Sequence, residues 1–251
     1  MLKHLTILTG ASRGMGLAMA QQLLGVKTRL LCLSRHANAA LEQEAARTGT
    51  ELEQWTADLA DSATVAERLR LWLQMLDPVT LASATLINNA GVISELVPVR
   101  QAQPQDLAHA LRVGLEAPMA LTAAFLVTTK AWQMPRKVLN ISSGLGRRAM
   151  ASSAAYCAAK AGMDHFTRCL ALEEALVANG AKVCSLAPGV IDTDMQMQLR
   201  SADPSTFPDQ RAFAGLHHQG QLTSPAMAAQ RLLAYLQRDD FGIEPVADVR
   251  N

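Results

Sequence analysis

A glycine-rich turn near the start of the chain constrains the fold more than any other feature of the sequence. The segment TGASRGMG, residues 9–16, follows the short apolar run LTIL and precedes the helix-forming segment LAMAQQLL. A strand, a glycine turn and a helix in this order form the opening unit of a dinucleotide-binding sheet. A second apolar run, RLLCLSR, follows at the distance that a strand–helix–strand unit requires. The sequence therefore predicts that a parallel α/β sheet begins here.

Three glycines of this turn have separate physical roles. Gly10 allows a sharp turn, Gly14 lets the backbone approach a diphosphate, and Gly16 permits close packing of the helix on the strand. The pattern is stronger than an isolated glycine motif because it stands where a first strand should end. We therefore expect the phosphates of a dinucleotide to lie against this turn.

Apolar runs alternate with segments of helical period along the whole chain. The predicted strands are 6–8, 29–33, 53–57, 85–88, 137–142 and 182–187, and the predicted helices are 16–25, 38–48, 62–76, 106–129, 152–179 and 225–236. This alternation predicts an α/β fold with a doubly wound, largely parallel sheet and helices on both faces. No linker divides the 251 residues, so we expect one domain spanning 1–251. The stretch 193–222 has no clean period and is predicted to form a lid.

Composition and charge narrow the classes of function. The formal net charge is +1 and no block of like charge appears, which disfavours nucleic acid and a membrane surface as partners. Four cysteines lack CxxC spacing and lie in apolar segments, which favours reduced thiols and no metal site. The N-terminus runs straight into the first strand, and no apolar run approaches the roughly 18 residues of a membrane span. We expect a cytoplasmic protein that acts on a small molecule.

Tyr156 and Lys160, in the run SSAAYCAAKAGMDHF, stand four residues apart and so share one face of a helix. A tyrosine hydroxyl has a pKa of about 10, and a nearby positive charge brings it toward neutrality. The same spacing is common on solvated helices, and Ser143, thirteen residues upstream of Tyr156, could be a turn residue after the strand VLNIS. Because these residues occur together with the glycine turn, we expect Tyr156 to be a proton donor and Lys160 to be its charge partner. Ser143 would then bind the same substrate atom as Tyr156.

The turn TGASRGMG, the run NNAG (88–91), the spacing of Ser143, Tyr156 and Lys160, and PGVIDTDM (188–195) together resemble the short-chain dehydrogenase/reductase family. The resemblance covers essentially the whole chain and implies a Rossmann-like fold. It also implies that Tyr156 protonates a carbonyl oxygen as a nicotinamide delivers hydride, and that Ser143 holds the same oxygen. Lys160 would lower the Tyr156 pKa and hydrogen-bond the nicotinamide ribose.

The resemblance further implies which residues bind the cofactor. The NNAG run, which begins at Asn88, would lie along the adenosine side, Asp58 would contact adenine, and Ile191 and Thr193 would bind the nicotinamide carboxamide. Asp58 alone could equally be a helix cap. The implied cofactor-binding residues are Gly10, Ser12, Arg13, Gly14, Met15, Gly16, Ser34, Arg35, Asp58, Asn89, Ala90, Gly91, Tyr156, Lys160, Pro188, Gly189, Ile191 and Thr193.

Charge favours NADP(H) over NAD(H) as the cofactor. In NAD-preferring members of the family, an acidic residue at the end of the second strand binds the ribose diol and would repel a 2′-phosphate. Here that place holds Ser34 with Arg35 after it, and Arg13 supplies a second guanidinium. The alternative is that both arginines are solvated surface charges.

One position departs from the family pattern. The family has an asparagine in the long helix before the catalytic serine, where it helps to hold a water that connects the lysine to solvent. Here that position holds Gly114. Either a backbone carbonyl and water replace the amide, or turnover is weakened. We favour the first, because a glycine within a helix can mark a kink that exposes a carbonyl.

Within the family, LALEE (170–174), APGVIDTDMQ (187–196) and the C-terminal pattern LLAYLQRDDF followed by VADVRN resemble sepiapterin reductases and bacterial reductases of diketones such as benzil. That resemblance implies that Asp248 binds substrate together with Ser143 and Tyr156, its carboxylate anchoring the amino-pyrimidine edge of a pterin. The alternative for Asp248 is a solvated tail residue.

The expected function is NADPH-dependent reduction of a ketone or vicinal dicarbonyl, with a pterin side chain as one candidate substrate. The alternative is a non-catalytic or weakly active NADP-binding sensor or assembly protein. The predicted helices 106–129 and 152–179 are rich in alanine and leucine over more than one face. Their counterparts in the family pair between subunits, which implies a homodimer, with a tetramer as the alternative.

Overall fold

The computed structural model describes residues 1–250 and contains one seven-stranded sheet in which every pairing is parallel. The strands are β1 (Lys3–Thr9), β2 (Thr28–Ser34), β3 (Glu51–Thr56), β4 (Leu81–Asn88), β5 (Arg136–Ile141), β6 (Lys182–Ala187) and β7 (Val246–Asp248). Their order across the sheet is β3-β2-β1-β4-β5-β6-β7. The predicted doubly wound parallel fold is therefore confirmed.

Helices connect the strands and cover both faces of the sheet. They are α1 (Gly14–Gln22), α2 (Ala39–Thr48), α3 (Ser62–Gln74), α4 (Pro104–Leu111), α5 (Ala117–Thr129), α6 (Ala154–Ala175), α7 (Asp194–Arg200), α8 (Gln210–His218) and α9 (Pro225–Leu236). One buried cluster, with Leu69 of α3 and Phe125 of α5, lies on one side. A second cluster, with Met19 of α1 and Leu232 of α9, lies on the other. Two apolar layers thus sandwich the sheet.

The structure differs from the prediction in two places. The predicted helix 106–129 is α4 and α5 joined by a π-helical turn over Arg112–Glu116, which contains Gly114. The C-terminal tail contains the unpredicted strand β7, which pairs with β6 through Ser185 and its two successors. Three residues that include an aspartate give no period-2 pattern, so only the sheet edge that β6 offers makes this segment a strand.

The stretch Pro104–Thr129 is long and apolar enough to cross a membrane by length and composition alone. Half of its most apolar window is buried inside the fold, with Ala117, Leu121 and Phe125 in the core. A core helix of an α/β protein meets the same criteria, because it packs an apolar face on the sheet and another on its neighbours. The apolar character of this helix is accounted for by packing.

Candidate active site

A cavity of about 900 Å³ opens at the carboxyl ends of the strands, where the order reverses between β1 and β4. Such a reversal leaves a crevice because the connections on its two sides run to opposite faces of the sheet. The residues that the sequence predicts to bind cofactor or act in catalysis line this cavity, except for Asn88, and the predicted substrate anchor Asp248 does not line it either. The strand ends therefore bring one set of dispersed motifs to one place.

The glycine turn forms the floor of the cavity. Gly10 has φ +72°, and a Cβ on Gly16 would come within 2.0 Å of the Gly10 carbonyl oxygen, so neither position accepts a side chain without a shift. Asn89 fixes the turn from β4, since its Nδ2 donates to the Thr9 carbonyl at 2.9 Å. No side chain within residues 1–250 caps the first turn of α1. Its free N–H groups fit a dinucleotide diphosphate.

The adenosine end of the cavity lies at the end of β2. Ser34, Arg35 and His36 line it, and none of them carries an acid. Asp58 lines the same region, while its Oδ1 accepts from the Ala60 N–H at 2.9 Å. Asp58 therefore serves as a turn residue and remains available as the predicted adenine contact.

Arg13 also lines the cavity, but its guanidinium donates to Asp194 at 2.5 Å. Asp194 is the first residue of α7, so this ion pair joins the glycine turn to the segment predicted as a lid. Both side chains are well exposed, which limits the strength of the pair through solvent screening. A phosphate near Arg13 would therefore compete with a weakly held carboxylate.

The three predicted catalytic groups meet on the other side of the cavity. Ser143 follows β5, while Tyr156 and Lys160 lie one turn apart on α6 and are both buried. The Lys160 Nζ donates to the Ile141 carbonyl at 2.7 Å and lies 5.7 Å from the centroid of the Tyr156 ring. The Ser143 hydroxyl accepts from the Leu145 N–H at 3.2 Å. Strand β5 thus holds both the serine and the lysine against the phenol.

Burial dominates the electrostatics of this trio. It raises the pKa of Tyr156, and a hydrogen bond with Ser143 opposes that rise. Burial also lowers the pKa of Lys160 to about 8, against the attraction of the Asp164 carboxylate. The lowering of the Tyr156 pKa by Lys160 stays a prediction, because in this structure the ammonium donates to the Ile141 carbonyl. Ser143 is the group that favours the phenolate here.

Gly114 lies in the π-helical turn, where the Ala117 N–H bonds to the Arg112 carbonyl five residues back. A Cβ on Gly114 would lie 3.1 Å from the Cβ of Ala159, the residue before Lys160. A π-helical turn inside an α-helix is often found at functional sites. Glycine therefore lets this turn approach the catalytic helix more closely than any residue with a side chain would.

Two predicted positions bind other parts of the protein. Asp248 is buried, and its carboxylate accepts from the Arg250 Nε and side-chain Nη2 at 2.8 and 2.7 Å. Asn88 is buried as well, and its Nδ2 donates to Thr122 and Asn140. Arg250 lines the cavity where Asp248 was expected. The C-terminal segment thus presents a cation to the cavity, with the carboxylate behind it.

Several lining residues were not predicted from the sequence. They come from the loop after β5 and from α7 and α8, and they are Leu145, Arg148, Met195, Gln196, Leu199 and Phe213. Most are apolar, and no periodic pattern marks them because α7 and α8 are short helices that pack on the cavity rather than on the sheet. Met195, Gln196, Leu199 and Phe213 fall in the stretch 193–222 that the sequence predicts to form a lid, whereas nothing in the sequence indicated Leu145 or Arg148.

The fold and this site define a class of oxidoreductase that binds a nicotinamide dinucleotide. Residues 4–204 match the family model described as short chain dehydrogenase, so the chain belongs to that family. It is 34% identical over 235 residues to the benzil reductase ((S)-benzoin forming) of Bacillus cereus, with 94% of each chain covered. It is 33% identical over 247 residues to the sepiapterin reductase of Rattus norvegicus, covering 94% of this chain and 92% of that protein.

A solved short-chain dehydrogenase/reductase from Burkholderia vietnamiensis is 34% identical and superimposes with a TM-score of 0.66, over 99% of this chain and 98% of that one. The predicted likeness to sepiapterin reductases and benzil-type diketone reductases is therefore confirmed. The two groups match with nearly equal identity, so the choice between their substrates depends on the residues around the cavity.

Proposed function

We propose that this protein is an NADPH-dependent carbonyl reductase that reduces a ketone or vicinal dicarbonyl, with Tyr156 as the proton donor. The observation that carries the proposal is the meeting of Tyr156, Ser143 and Lys160 on one wall of the cavity that the glycine turn also lines. A proton donor and a phosphate-binding turn in one cavity place a reducible carbonyl between them.

The chain's own groups divide the reaction between them. A nicotinamide dinucleotide held by the glycine turn and Lys160 would supply the hydride for the carbonyl carbon. The hydroxyls of Ser143 and Tyr156 hold the carbonyl oxygen and stabilise its developing negative charge. Tyr156 then gives its proton to that oxygen, so the product is an alcohol. Lys160 stabilises the phenolate that remains, because burial makes an uncompensated negative charge costly there.

The preference for NADPH rests on the end of β2. Arg35 and Ser34 line the cavity where an acidic residue would select NAD, and Arg13 can exchange Asp194 for a phosphate. Arg35→Ala should lower kcat/KM with NADPH by about tenfold or more while changing kcat/KM with NADH less than threefold. Arg68→Ala, which removes an arginine that stacks on Trp55, is the matched control. Equal losses with both cofactors would contradict the role of Arg35.

The surroundings of the cavity favour a diketone over a pterin. Asp248, the pterin anchor implied by the resemblance, is already bonded to Arg250 and lies outside the lining. Leu145, Leu199 and Phe213 line the substrate side and suit apolar groups on either side of a dicarbonyl. Wild-type protein should therefore reduce benzil with a higher kcat/KM than sepiapterin, and the reverse order would favour the pterin.

The segment 193–222 is proposed to act as a lid within one domain that spans the chain. It contributes Thr193, Leu199 of α7 and Phe213 of α8 to the cavity. The Ser152 hydroxyl donates to the Thr206 carbonyl at 2.5 Å, which connects this segment to the loop before Tyr156. A lid would exclude water as the carbonyl is reduced.

We also propose a cytoplasmic homodimer, with a tetramer as the alternative. Exposed apolar side chains lie on the outer surfaces of α5 and α6, including Met119, Val127, Leu172 and Leu176. A twofold pairing of these helices would bury them. Light scattering after gel filtration should give twice the mass of the 26.9 kDa chain, and a monomer at micromolar concentration would contradict the proposal.

The second candidate is an NADP-binding protein without catalysis, which Gly114 motivates. Oxidation of NADPH in the presence of benzil, sepiapterin and simple aromatic ketones separates the two candidates. Turnover with at least one ketone supports the reductase. Tight NADPH binding by calorimetry with no turnover on any of them would support the sensor.

A further inference from the structure

Asp164 is a buried carboxylate that lies outside the predicted site residues. Its Oδ1 accepts from the Ser142 hydroxyl at 2.5 Å and from the Ser185 hydroxyl at 2.7 Å. Its Oδ2 accepts from the Arg147 Nε at 3.3 Å. The side chain is only 2% exposed. Three donors, two from the loop after β5 and one from β6, therefore satisfy this buried carboxylate and fix the loop and the strand against α6.

Asp164 and its hydrogen-bond donors lie next to the segments that carry the catalytic groups. Asp164 lies one helical turn beyond Lys160 on α6. Ser142 stands directly between Ile141, whose carbonyl accepts from Lys160, and Ser143. The loop that follows lies close on the helix, because a Cβ on Gly146 would come within 2.9 Å of the Asp164 Oδ2. Asp164 therefore contacts the loop that carries Ser143 and lies on the helix that carries Lys160, but it does not line the cavity.

One cation, Arg147, contacts Asp164 directly, and a second, Lys160, lies near it on the same helix. Arg147 approaches from the loop and also donates to the Ala247 carbonyl at 2.8 Å, with Asp248 at 4.0 Å from its guanidinium. Lys160 approaches from the same helix and is attracted by the same carboxylate. Cys184 of β6 packs on the opposite face of the sheet, and burial raises the pKa of its thiol to about 12, so it adds no charge to this cluster. The interaction of Asp164 with Lys160 can therefore be changed by changing its interaction with Arg147.

We propose that Asp164, held by Arg147, is a positioning residue that keeps the Lys160 ammonium charged and fixes the loop that carries Ser143. The inference rests on the proposed reductase function for the meaning of that charge. Burial disfavours the ammonium, and Asp164 is the anion one turn away that opposes it.

The proposal predicts opposite effects from the two partners. Residues four apart on a helix have Cβ atoms about 5–6 Å apart, and a charge separation of about that length gives about one to two pKa units at an effective dielectric constant of about 20 to 40. Asp164→Asn should therefore lower the pKa of Lys160 by at least about one unit. Arg147→Met should raise it, because Asp164 then attracts Lys160 alone. The double variant should return close to wild type.

The first measurement is the pH dependence of kcat/KM for ketone reduction with NADPH. The alkaline limb, where Lys160 loses its charge, should move to lower pH in Asp164→Asn and to higher pH in Arg147→Met. Ser185→Ala, which removes one hydrogen bond and no charge, should leave the limb in place. A merely structural role would lower stability and activity in both variants without moving the limb, and that result would overturn the proposal.

The second measurement does not depend on turnover. The Cε resonance of Lys160 in protein labelled with ¹³C-lysine, assigned by Lys160→Met, reports its protonation directly. The same opposite shifts are expected in the resonance titration, and identical midpoints in wild type and both variants would overturn the inference. If no ketone is reduced by wild type, the proposed function fails, while this titration still decides the role of Asp164. If Asp164→Asn does not fold, Arg147→Met alone carries the test, because the Arg147 side chain is 35% exposed and its replacement should be tolerated.

Discussion

Gly114→Ala tests how the π-helical turn meets the catalytic helix. The added methyl would lie 3.1 Å from the Cβ of Ala159, closer than the ordinary contact of about 3.5–4.0 Å between carbons. Overpacking of this kind costs about 1–3 kcal/mol. Replacing a helical glycine by alanine returns about 0.5–1 kcal/mol. The net effect is a destabilisation of about 1 kcal/mol, which in a chain of this size lowers Tm by about 2–4 °C.

The assay is urea unfolding with thermal melts, alongside a matched glycine. Gly215 lies in helix α8, and a Cβ there would meet nothing within 4 Å, so Gly215→Ala should stabilise by about 0.5–1 kcal/mol. Adding Ala159→Gly to Gly114→Ala should remove the clash, leaving only the cost of the second glycine. If Gly114→Ala stabilises the protein as much as Gly215→Ala does, the proposed close approach is wrong.

Gly114→Asn extends the same reasoning to catalysis. The larger side chain must displace Ala159 and with it Lys160, so turnover should fall or stay within about threefold of wild type, because small displacements of catalytic groups are costly. Steady-state kinetics at saturating NADPH measure this change. A rise in turnover by orders of magnitude would mean that the absence of the amide strongly limits turnover in the native protein.

Two further predictions concern groups outside the catalytic trio. Cys169 is exposed and should react with a thiol reagent. Cys32 and Cys184 should stay unmodified, because burial raises the pKa of each thiol to about 12. Mass spectrometry of the labelled native protein counts the modified sites. Asp248→Asn should cost about 1–2 kcal/mol, since it weakens the bonds to Arg250, and should change diketone and pterin reduction in equal proportion. Loss of pterin reduction alone would restore Asp248 as a substrate anchor.

The fold and the cofactor side of the site could be predicted from the sequence because their physical requirements are local. A glycine that must adopt φ +72° beside a strand end, as Gly10 does, leaves a signature in a few consecutive residues. The same is true of Tyr156 and Lys160, whose helical spacing places them on one face. Strand order then brought these motifs together, as parallel sheets do.

The remaining features depend on contacts between distant segments. Strand β7 forms only because β6 leaves an edge, and Asp248 in that strand is buried with the Arg147 guanidinium of a distant loop 4.0 Å away. In the sequence Asp164 is an ordinary polar residue of a helix, and its role depends on Ser142 and Arg147 of the loop after β5 and on Ser185 of β6. Packing of this kind has no period in the sequence, which is why the substrate side was predicted less well.

The most direct test of the account is a comparison of wild type with Tyr156→Phe in the reduction of benzil by NADPH. The phenylalanine keeps the packing of a buried ring and removes only the hydroxyl, so NADPH affinity measured by calorimetry should stay within about threefold. Turnover should fall by about 10²–10⁴-fold, the contribution expected of a positioned proton donor. Turnover within tenfold of wild type, with NADPH still bound, would contradict the assignment of Tyr156 as the acid.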